Sequence, residues 1–143
     1  MNQGPPPAVA ISVLCIEDED ELRLDMLEEL EAAGFAATGV ASGEQALLQL
    51  SAQAYSIVLS DIRLPGMSGL DVLADIRKAQ SASSTTPFVI LSAYDDVHLR
   101  ESLSVSQATA FLVKPVDYDD LIGTIQALTR PTPPAGDKSV RLS

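Results

Sequence analysis

The sequence has a single cysteine and no long apolar run, and each shortage excludes a class of protein. Cys15 has no partner, so neither an internal disulfide nor a cysteine-based metal site can form. A lone cysteine fits a reducing compartment, where it serves as a small buried side chain. No apolar run approaches the roughly 20 residues of a membrane span. The opening MNQGPPPAVA lacks the basic start and apolar centre of a signal peptide. We therefore expect a cytoplasmic protein without a membrane segment.

Basic residues are also scarce. The chain has 9 Lys and Arg against 20 Asp and Glu, a formal net charge of −11. Such a surface repels a phosphate backbone, so direct nucleic-acid binding is not expected. Apolar residues are plentiful by contrast, at 46% of the 143 residues. That is enough for one globular domain with a core.

The two ends differ in composition from the middle. Residues 1–9 contain three consecutive prolines, and residues 131–143 (PTPPAGDKSVRLS) mix proline, glycine and charge without an apolar period. We expect a disordered tail at residues 1–9 and a proline-rich tail or linker at residues 131–143. The folded domain is then predicted at residues 10–130.

Between the tails, strand-like and helix-like patterns alternate. The strand-like segments are AISVLCI, FAATGVA, YSIVLS, PFVILSA and TAFLVK, and helical spacing occurs at residues 19–34, 43–53, 69–79, 95–107 and 116–130. Gly34 is read as a helix stop, Ser42 with Gln45 as a capping box, and Asp117 as the cap of the last helix. The Ser/Thr-rich residues 81–87 are read as a loop.

Five strands alternating with five helices predict an α/β fold with a parallel sheet covered on both faces. The leading topology is the flavodoxin-like doubly wound (βα)5 arrangement with strand order 2-1-3-4-5. In that order the carboxyl ends of strands 1, 3, 4 and 5 share one edge, where ligands bind. The polar residues at these ends are Glu17, Asp18, Asp61, Ser92 and Lys114.

These strand ends belong to motifs that occur in a fixed order. IEDEDELR follows the first strand, SDIRLPGMSGLDVL includes the end of the third, ILSA ends the fourth and FLVKP ends the fifth. Together they resemble the receiver domain of bacterial two-component response regulators, the CheY-like family. The resemblance runs from about residue 10 to residue 130. An acidic pair, Asp, Ser and Lys-Pro at the right strand ends are specific together, although each alone is weak.

The resemblance implies that Asp61 is the phospho-acceptor. Lys114 is expected to pair with one phosphoryl oxygen, and the Ser92 hydroxyl or the Ala93 amide is expected to hold another. Phosphoryl transfer depends mainly on positioning and charge neutralisation, which these residue types supply. The same resemblance makes Ser92 and the aromatic Phe111 a switch pair. Phe111 has no hydroxyl, so any switching by it rests on packing.

Magnesium is the expected cofactor. Three carboxylates held close together repel one another unless a hard divalent cation lies among them. The expected ligands are the side chains of Glu17, Asp18 and Asp61 and, from the resemblance, the backbone carbonyl of Arg63. The Arg63 side chain itself is expected to be solvated.

Three further residues are expected to shape the site. Gly66 and Gly69 allow the loop after the third strand to turn closely around Asp61. A cis bond before Pro115 is expected to direct Lys114 back over the pocket, as the resemblance also implies.

The implied function is a phosphorylation-dependent switch in a phosphorelay. The partners are a histidine kinase or phosphotransfer protein, whose phosphohistidine donates, and an effector domain or protein outside this chain. The chain is then a stand-alone receiver or a fragment. The face formed by the fourth predicted helix, the fifth strand and the last helix is expected to serve effector binding or a homodimer. No turnover of a separate substrate is expected, so the chain is not classed as an enzyme.

Three other functions match parts of the sequence. A phosphatase of the haloacid-dehalogenase type also forms an aspartyl phosphate, but it normally carries a second Asp where this chain has Arg63. A flavin-binding module needs a first loop rich in Ser, Thr and Gly, whereas this loop reads EDEDE. A degenerate receiver acting only as an interaction module remains an alternative, although every required side chain is present.

Overall fold

Strands and helices alternate along the chain as the sequence pattern predicts. The computed structural model describes residues 10–79, 82–93 and 108–129. The strands are β1 Ser12–Ile16, β2 Ala36–Val40, β3 Ile57–Asp61, β4 Phe88–Ser92 and β5 Ala110–Val113. The helices are α1 Asp20–Ala32, α2 Gly43–Ala52, α3 Gly69–Lys78 and α4 Tyr118–Thr129. The helix predicted at residues 95–107 and both predicted tails lie outside the described residues.

The five strands form one parallel sheet in the order β2-β1-β3-β4-β5, which confirms the predicted topology. The register pairs Ile16 of β1 with Ser60 of β3 and pairs Asp61 with Leu91 of β4. Parallel strands in this order place the carboxyl ends of β1, β3, β4 and β5 along one edge. The edge predicted to carry the polar residues is therefore formed.

The core has two layers, one on each face of the sheet. Alternate residues of a strand point to opposite faces, so Leu14 and Ile16 pack against α2 and α3, while Val13 and Cys15 pack against α1 and α4. Every residue of β3 and β4 is buried. Burial on both faces explains why these strands read as continuous apolar runs. Within the described residues, no helix combines the length and apolar character needed to cross a bilayer.

Side-chain caps define the starts of α2 and α3. The Ser42 Oγ accepts a hydrogen bond from the Gln45 amide at 3.2 Å, as predicted, but the Gln45 side chain accepts from the Ala41 amide instead of closing the box on Ser42. The full capping box is at α3, which the sequence reading missed. There the Ser68 Oγ accepts from the Asp71 amide, and the Asp71 carboxylate accepts from the Ser68 amide.

The other predicted helix boundaries are confirmed. Gly34 follows the end of α1 with a φ of +97°, a backbone conformation that glycine adopts without steric penalty. The Asp117 Oδ1 accepts hydrogen bonds from the amides of Asp119 at 2.8 Å and Asp120 at 3.2 Å. It thereby satisfies donors that the first turn of α4 leaves without helical partners.

The predicted loop at residues 81–87 contains regular structure, so this part of the prediction was wrong. Ala82–Thr85 form a short 3-10 helix. The Arg77 guanidinium of α3 donates to the backbone carbonyls of Thr86 at 2.7 Å and Ser84 at 3.3 Å. These contacts come from another element, which is why the local Ser/Thr-rich composition did not indicate an ordered turn.

Burial predicts that the Cys15 thiol is unreactive in the folded protein. Cys15 is 0% exposed, and burial raises the pKa of its thiol to about 12, so little thiolate forms at neutral pH. A thiol reagent should therefore label the native chain only as fast as the chain unfolds, and should label it at once in guanidinium chloride. A Ser51→Cys variant, with its thiol on the exposed face of α2, is the control and should gain one fast-reacting group. Rapid labelling of Cys15 in the native chain would contradict the packing of β1.

Candidate functional site

Three carboxylates converge at the carboxyl edge of the sheet. Glu17 and Asp18 follow β1, and Asp61 ends β3. One oxygen from each side chain lies within 4.8 Å of the oxygens of the other two. Glu17 is 1% exposed and Asp61 is 8% exposed, whereas Asp18 faces solvent. The sequence-predicted acidic group is thus brought together, with two of its members buried.

Lys114 places its ammonium between two of these carboxylates. Its Nζ lies 2.9 Å from Asp61 Oδ2 and 3.2 Å from Glu17 Oε1. The Lys114 amide donates to the Ser92 carbonyl at 2.8 Å, which ties the end of β5 to the end of β4. The Lys114–Pro115 peptide bond is cis, as predicted. One side chain therefore joins the ends of β1, β3 and β5.

Burial and charge act against each other in this cluster. Burial raises the pKa of the Glu17 carboxyl above its ordinary value, and the hydrogen bond from the Glu19 amide and the charge of Lys114 reduce that rise. Burial alone would lower the pKa of the Lys114 ammonium. The hydrogen bond and charge of Asp61, followed by those of Glu17, outweigh burial and raise the pKa of Lys114. The Lys114 side chain is thus protonated and positively charged at neutral pH.

Backbone amides hold the two buried carboxylates from behind. Glu17 Oε2 accepts a hydrogen bond from the Glu19 amide at 3.1 Å, and Asp61 Oδ1 accepts one from the Arg63 amide at 3.2 Å. Each carboxylate consequently has one oxygen on a backbone N–H and the other on the Lys114 ammonium. The Arg63 residue is exposed.

Ser92 and Phe111, the predicted switch pair, lie on neighbouring strands. Ser92 is the last residue of β4 and is 0% exposed, and its Oγ makes no hydrogen bond within the described part of the chain. A buried hydroxyl without a partner is uncommon. Phe111 pairs in register with Ile90 of β4 and packs, partly buried, against the core layer beneath α2 and α3.

The loop after β3 passes close to Asp61. Gly66 has a φ of +75°, a conformation that side chains disfavour. Gly69 is required for a different reason: a Cβ there would collide with the Asp61 carbonyl oxygen and lie 2.9 Å from the Ser60 Oγ. The Ser60 hydroxyl donates to that same carbonyl at 2.9 Å, and the Gly69 amide donates to the Ile62 carbonyl at 3.0 Å. The start of α3 is thus packed directly onto the backbone of Asp61.

Arg23 is a residue of the site region that the sequence reading missed. Its guanidinium donates to the Glu17 carbonyl oxygen at 2.8 Å and to Asp20 Oδ1 at 2.7 Å. A signal existed, because Arg23 is the first basic residue of the chain and the next is Arg63. A single arginine in a strongly acidic helix indicates that its guanidinium binds a specific partner and is not merely part of a solvated face.

The donor set suits a hard divalent cation. All three side chains offer carboxylate oxygens, the ligand type that Mg²⁺ prefers, and the oxygens are near enough to share one ion. Within the described residues, this is the group of acidic side chains that is close enough for such a role. A cation there adds charge neutralisation that Lys114 alone does not provide to Asp18.

The Gly69 packing yields a stability prediction. Gly69→Ala should lower the free energy of unfolding by about 1–3 kcal/mol, because its methyl group has no room beside the Asp61 carbonyl. Gly123→Ala is the matched control: no atom lies within 4 Å of its added Cβ, and the site is an interior position of α4. That change should raise the free energy of unfolding by about 1 kcal/mol. Urea unfolding measures both, and equal effects of the two substitutions would contradict the close packing at Asp61.

Comparisons with known proteins agree with this geometry. A sequence model of the response regulator receiver domain matches residues 13–126. The chain is 36% identical over 115 residues to the C4-dicarboxylate transport transcriptional regulatory protein DctD of Rhizobium meliloti, covering 80% of this chain and 24% of DctD. It spans between a quarter and about half of the length of the curated relatives it matches.

Solved structures show the same fold. The chemotaxis response regulator CheY4 of Vibrio cholerae superposes with a TM-score of 0.77 at 26% identity, covering 84% of this chain and 99% of CheY4. The receiver domain of the sensor histidine kinase PA1611 of Pseudomonas aeruginosa, solved with a magnesium ion in its active site cleft, gives a TM-score of 0.79 at 27% identity, covering 86% and 100%. With the match to the family across residues 13–126, the chain belongs to the response regulator receiver domain family.

Proposed function

We propose that this chain is a phosphorylation-dependent switch that accepts a phosphoryl group on Asp61. The donor is the phosphohistidine of a histidine kinase or phosphotransfer protein, and Mg²⁺ is the cofactor. The observation that carries the proposal is the position of Lys114, whose Nζ lies 2.9 Å from Asp61 Oδ2. Asp61 is the carboxylate that this ammonium approaches most closely, since Glu17 Oε1 lies 3.2 Å away. The family match supports the same assignment.

The transfer is a simple exchange of bonds. An Asp61 carboxylate oxygen attacks the phosphorus, so an O–P bond forms while the N–P bond to the donor imidazole breaks. The imidazole nitrogen leaves with the electron pair of that bond. Asp61 is a weak nucleophile, so its fixed position matters. The adjacent Ile62 amide donates to the Leu91 carbonyl at 3.0 Å, which holds the β3 end against β4.

Charge is the main barrier, because the carboxylate and the phosphoryl group are both anionic. Mg²⁺ bound by Glu17, Asp18 and Asp61, with the backbone carbonyl of Arg63 as a further proposed ligand, supplies charge neutralisation at the transferring group. Lys114 pairs with a phosphoryl oxygen from the β5 side. The Ser92 hydroxyl lies at the neighbouring strand end and has no hydrogen bond within the described part of the chain, so it is available as a donor to another phosphoryl oxygen.

A cleft beside Lys114 gives a donor protein access to the site. It has a volume of about 540 Å³ and runs between α1 and the start of α4. Its lining is mostly apolar and includes Leu22, Met26, Val116 and Tyr118. A donor that inserts an apolar side chain here brings its phosphohistidine toward Lys114. Apolar anchors in such clefts contribute much of the affinity of protein complexes.

The phosphoryl charge is proposed to be read along β4 and β5. It draws the Ser92 hydroxyl and the Lys114 ammonium, which already contacts Asp61, to the phosphoryl oxygens, and Phe111 repacks on β5 as a consequence. This biases an equilibrium that exists before phosphorylation. The face formed by the predicted helix at residues 95–107, β5 and α4 then binds an effector or a second copy of the chain. The match to this chain covers only 24% of DctD, a transcriptional regulatory protein, which supports an effector region beyond the receiver.

The alternatives fit less well. In the phosphatase reading a general-acid Asp stands at the position of Arg63, which is exposed here and carries no carboxyl. A degenerate receiver needs a missing acceptor, cation ligand or lysine, yet all of them meet at one edge. We propose that the chain catalyses its own phosphorylation and dephosphorylation and turns over no separate substrate.

Phosphorylation at Asp61 is directly testable. Acetyl phosphate with Mg²⁺ should add one phosphoryl group to the intact chain, visible by intact-mass spectrometry, because the site itself supplies the nucleophile and Lys114. Asp61→Asn should abolish the addition, since an amide does not attack phosphorus. Asp75→Asn is the matched control, being an exposed aspartate on α3, and should be phosphorylated like the parent. A phosphorylated Asp61→Asn protein would sink the assignment, and an unreactive parent would favour the degenerate receiver.

Removing Lys114 should separate cation binding from phosphoryl transfer. The ammonium competes with a cation for Asp61 Oδ2, so Lys114→Ala should bind Mg²⁺ more tightly, on the order of tenfold for about 1.4 kcal/mol of relieved repulsion. The same change should slow phosphorylation on the order of a hundredfold, as the loss of a transition-state donor does. Lys78→Ala, at an exposed lysine of α3, is the control and should change neither. Weaker Mg²⁺ binding by Lys114→Ala would count against this arrangement of charges.

A further inference from the structure

Arg23 joins the end of β1 to the first turn of α1. Its Nη1 donates to the Glu17 backbone carbonyl at 2.8 Å, and its Nη2 donates to Asp20 Oδ1 at 2.7 Å. Asp18 lies in the short segment between these two attachment points. We propose that Arg23 is a positioning residue that orients the Glu17–Asp18 peptide and thereby sets the carboxylate geometry for a divalent cation. The inference rests on the proposed function, because it concerns the same cation.

Both polar groups of the Glu17 backbone are hydrogen-bonded. Its amide donates to the Val40 carbonyl of β2 at 3.0 Å, and its carbonyl accepts from Arg23. The carbonyl oxygen belongs to the peptide unit whose nitrogen is that of Asp18, so its direction fixes the plane from which Asp18 continues. β1 ends at Ile16 and α1 begins at Asp20, so the Glu17 carbonyl lies between the hydrogen-bonding pattern of the strand and that of the helix. The Arg23 guanidinium supplies the hydrogen-bond donor for this carbonyl.

The aliphatic part of the Arg23 side chain packs against Gly39 of β2. A Cβ at Gly39 would lie 3.1 Å from both Cγ and Cδ of Arg23 and 2.9 Å from Leu27 Cδ1. The bare backbone of Gly39 therefore lets the Arg23 stem lie flat against the strand. The Arg23 side chain is only 18% exposed as a result. An arginine held this way loses little further freedom when its planar fork binds two acceptors.

The charge of Arg23 and its positioning role have opposite expected effects on Mg²⁺ affinity. A positive charge behind the acidic group repels an incoming cation, so charge alone predicts that loss of Arg23 tightens Mg²⁺ binding. Positioning predicts that loss of Arg23 weakens Mg²⁺ binding, because the Asp18 carboxylate is then no longer held where it can share one ion with Glu17 and Asp61. Removal of a group that orients metal ligands typically weakens metal binding by about 10–100-fold. The direction of the change thus decides between the two effects.

The experiment measures the Mg²⁺ dissociation constant of the whole chain by NMR titration of the amides at residues 17–19 and 61–63. Arg23→Ala should weaken binding about tenfold. Arg23→Lys keeps the charge and one donor but loses the fork, so its dissociation constant should lie between those of Arg23→Ala and the parent. Asp20→Asn removes the ion pair and leaves the bond to the Glu17 carbonyl, and it should bind Mg²⁺ within about twofold of the parent.

Leu27→Ala is the matched control for stability. It opens the same packing place beside Gly39 without touching the Glu17 carbonyl. It should lower the unfolding temperature at least as much as Arg23→Ala does, yet leave the Mg²⁺ dissociation constant of the folded chain unchanged. A further measurement needs no metal: the carbonyl carbon shift of Glu17 and the amide shift of Asp18 should move in Arg23→Ala and stay in Leu27→Ala.

The outcomes separate this inference from the proposed function. If the parent binds Mg²⁺ and Arg23→Ala binds it equally or more tightly, the positioning role is overturned and the proposed function stands. Equal weakening by Leu27→Ala also overturns it, since general loosening of the packing then suffices. If the parent itself binds no Mg²⁺, the metal step of the proposed function fails and the inference fails with it.

Discussion

The mutual repulsion of three carboxylates at one edge of the sheet is the constraint on which the rest of the site depends. Glu17, Asp18 and Asp61 present oxygens within 4.8 Å of one another, two of the three side chains being buried. Lys114 offsets part of this repulsion by contacting two of them at once. The arrangement is left with excess negative charge, which a divalent cation would neutralise.

The sheet and its two apolar layers keep this unfavourable cluster from spreading apart. Both central strands are buried along their full length, so the ends that carry Asp61 and Ser92 cannot shift without disturbing packed side chains. On the α3 side, Gly69 allows the helix start to rest on the Asp61 backbone, and the Ser60 hydroxyl bonds to the same carbonyl. The energy that holds like charges together thus comes from apolar burial elsewhere in the domain.

Two cations serve the site in different ways because their chemistry differs. The Lys114 ammonium is a point charge on a flexible stem, and it contacts the Asp61 and Glu17 carboxylates directly. The Arg23 guanidinium is a planar fork with several donors, and it donates to a backbone carbonyl and to Asp20. A lysine in the second position would satisfy only part of that geometry.

The order of strands and helices, the polar residues at the strand ends and most helix caps followed from the sequence, because they depend on local periodicity and on residues a few positions apart. Glu17, Asp18, Asp61, Ser92 and Lys114 were predicted as a group because the predicted strand order and the family resemblance place these strand ends at one edge of the sheet. The sequence also predicted that the loop with Gly69 passes close to Asp61, and the structure shows that approach. Only the tertiary structure decided that Arg23 reaches the Glu17 carbonyl and that Arg77 donates to the carbonyls of Ser84 and Thr86. Each of these contacts joins two elements whose relative placement is set by packing, and no local pattern records which donor will arrive at which acceptor.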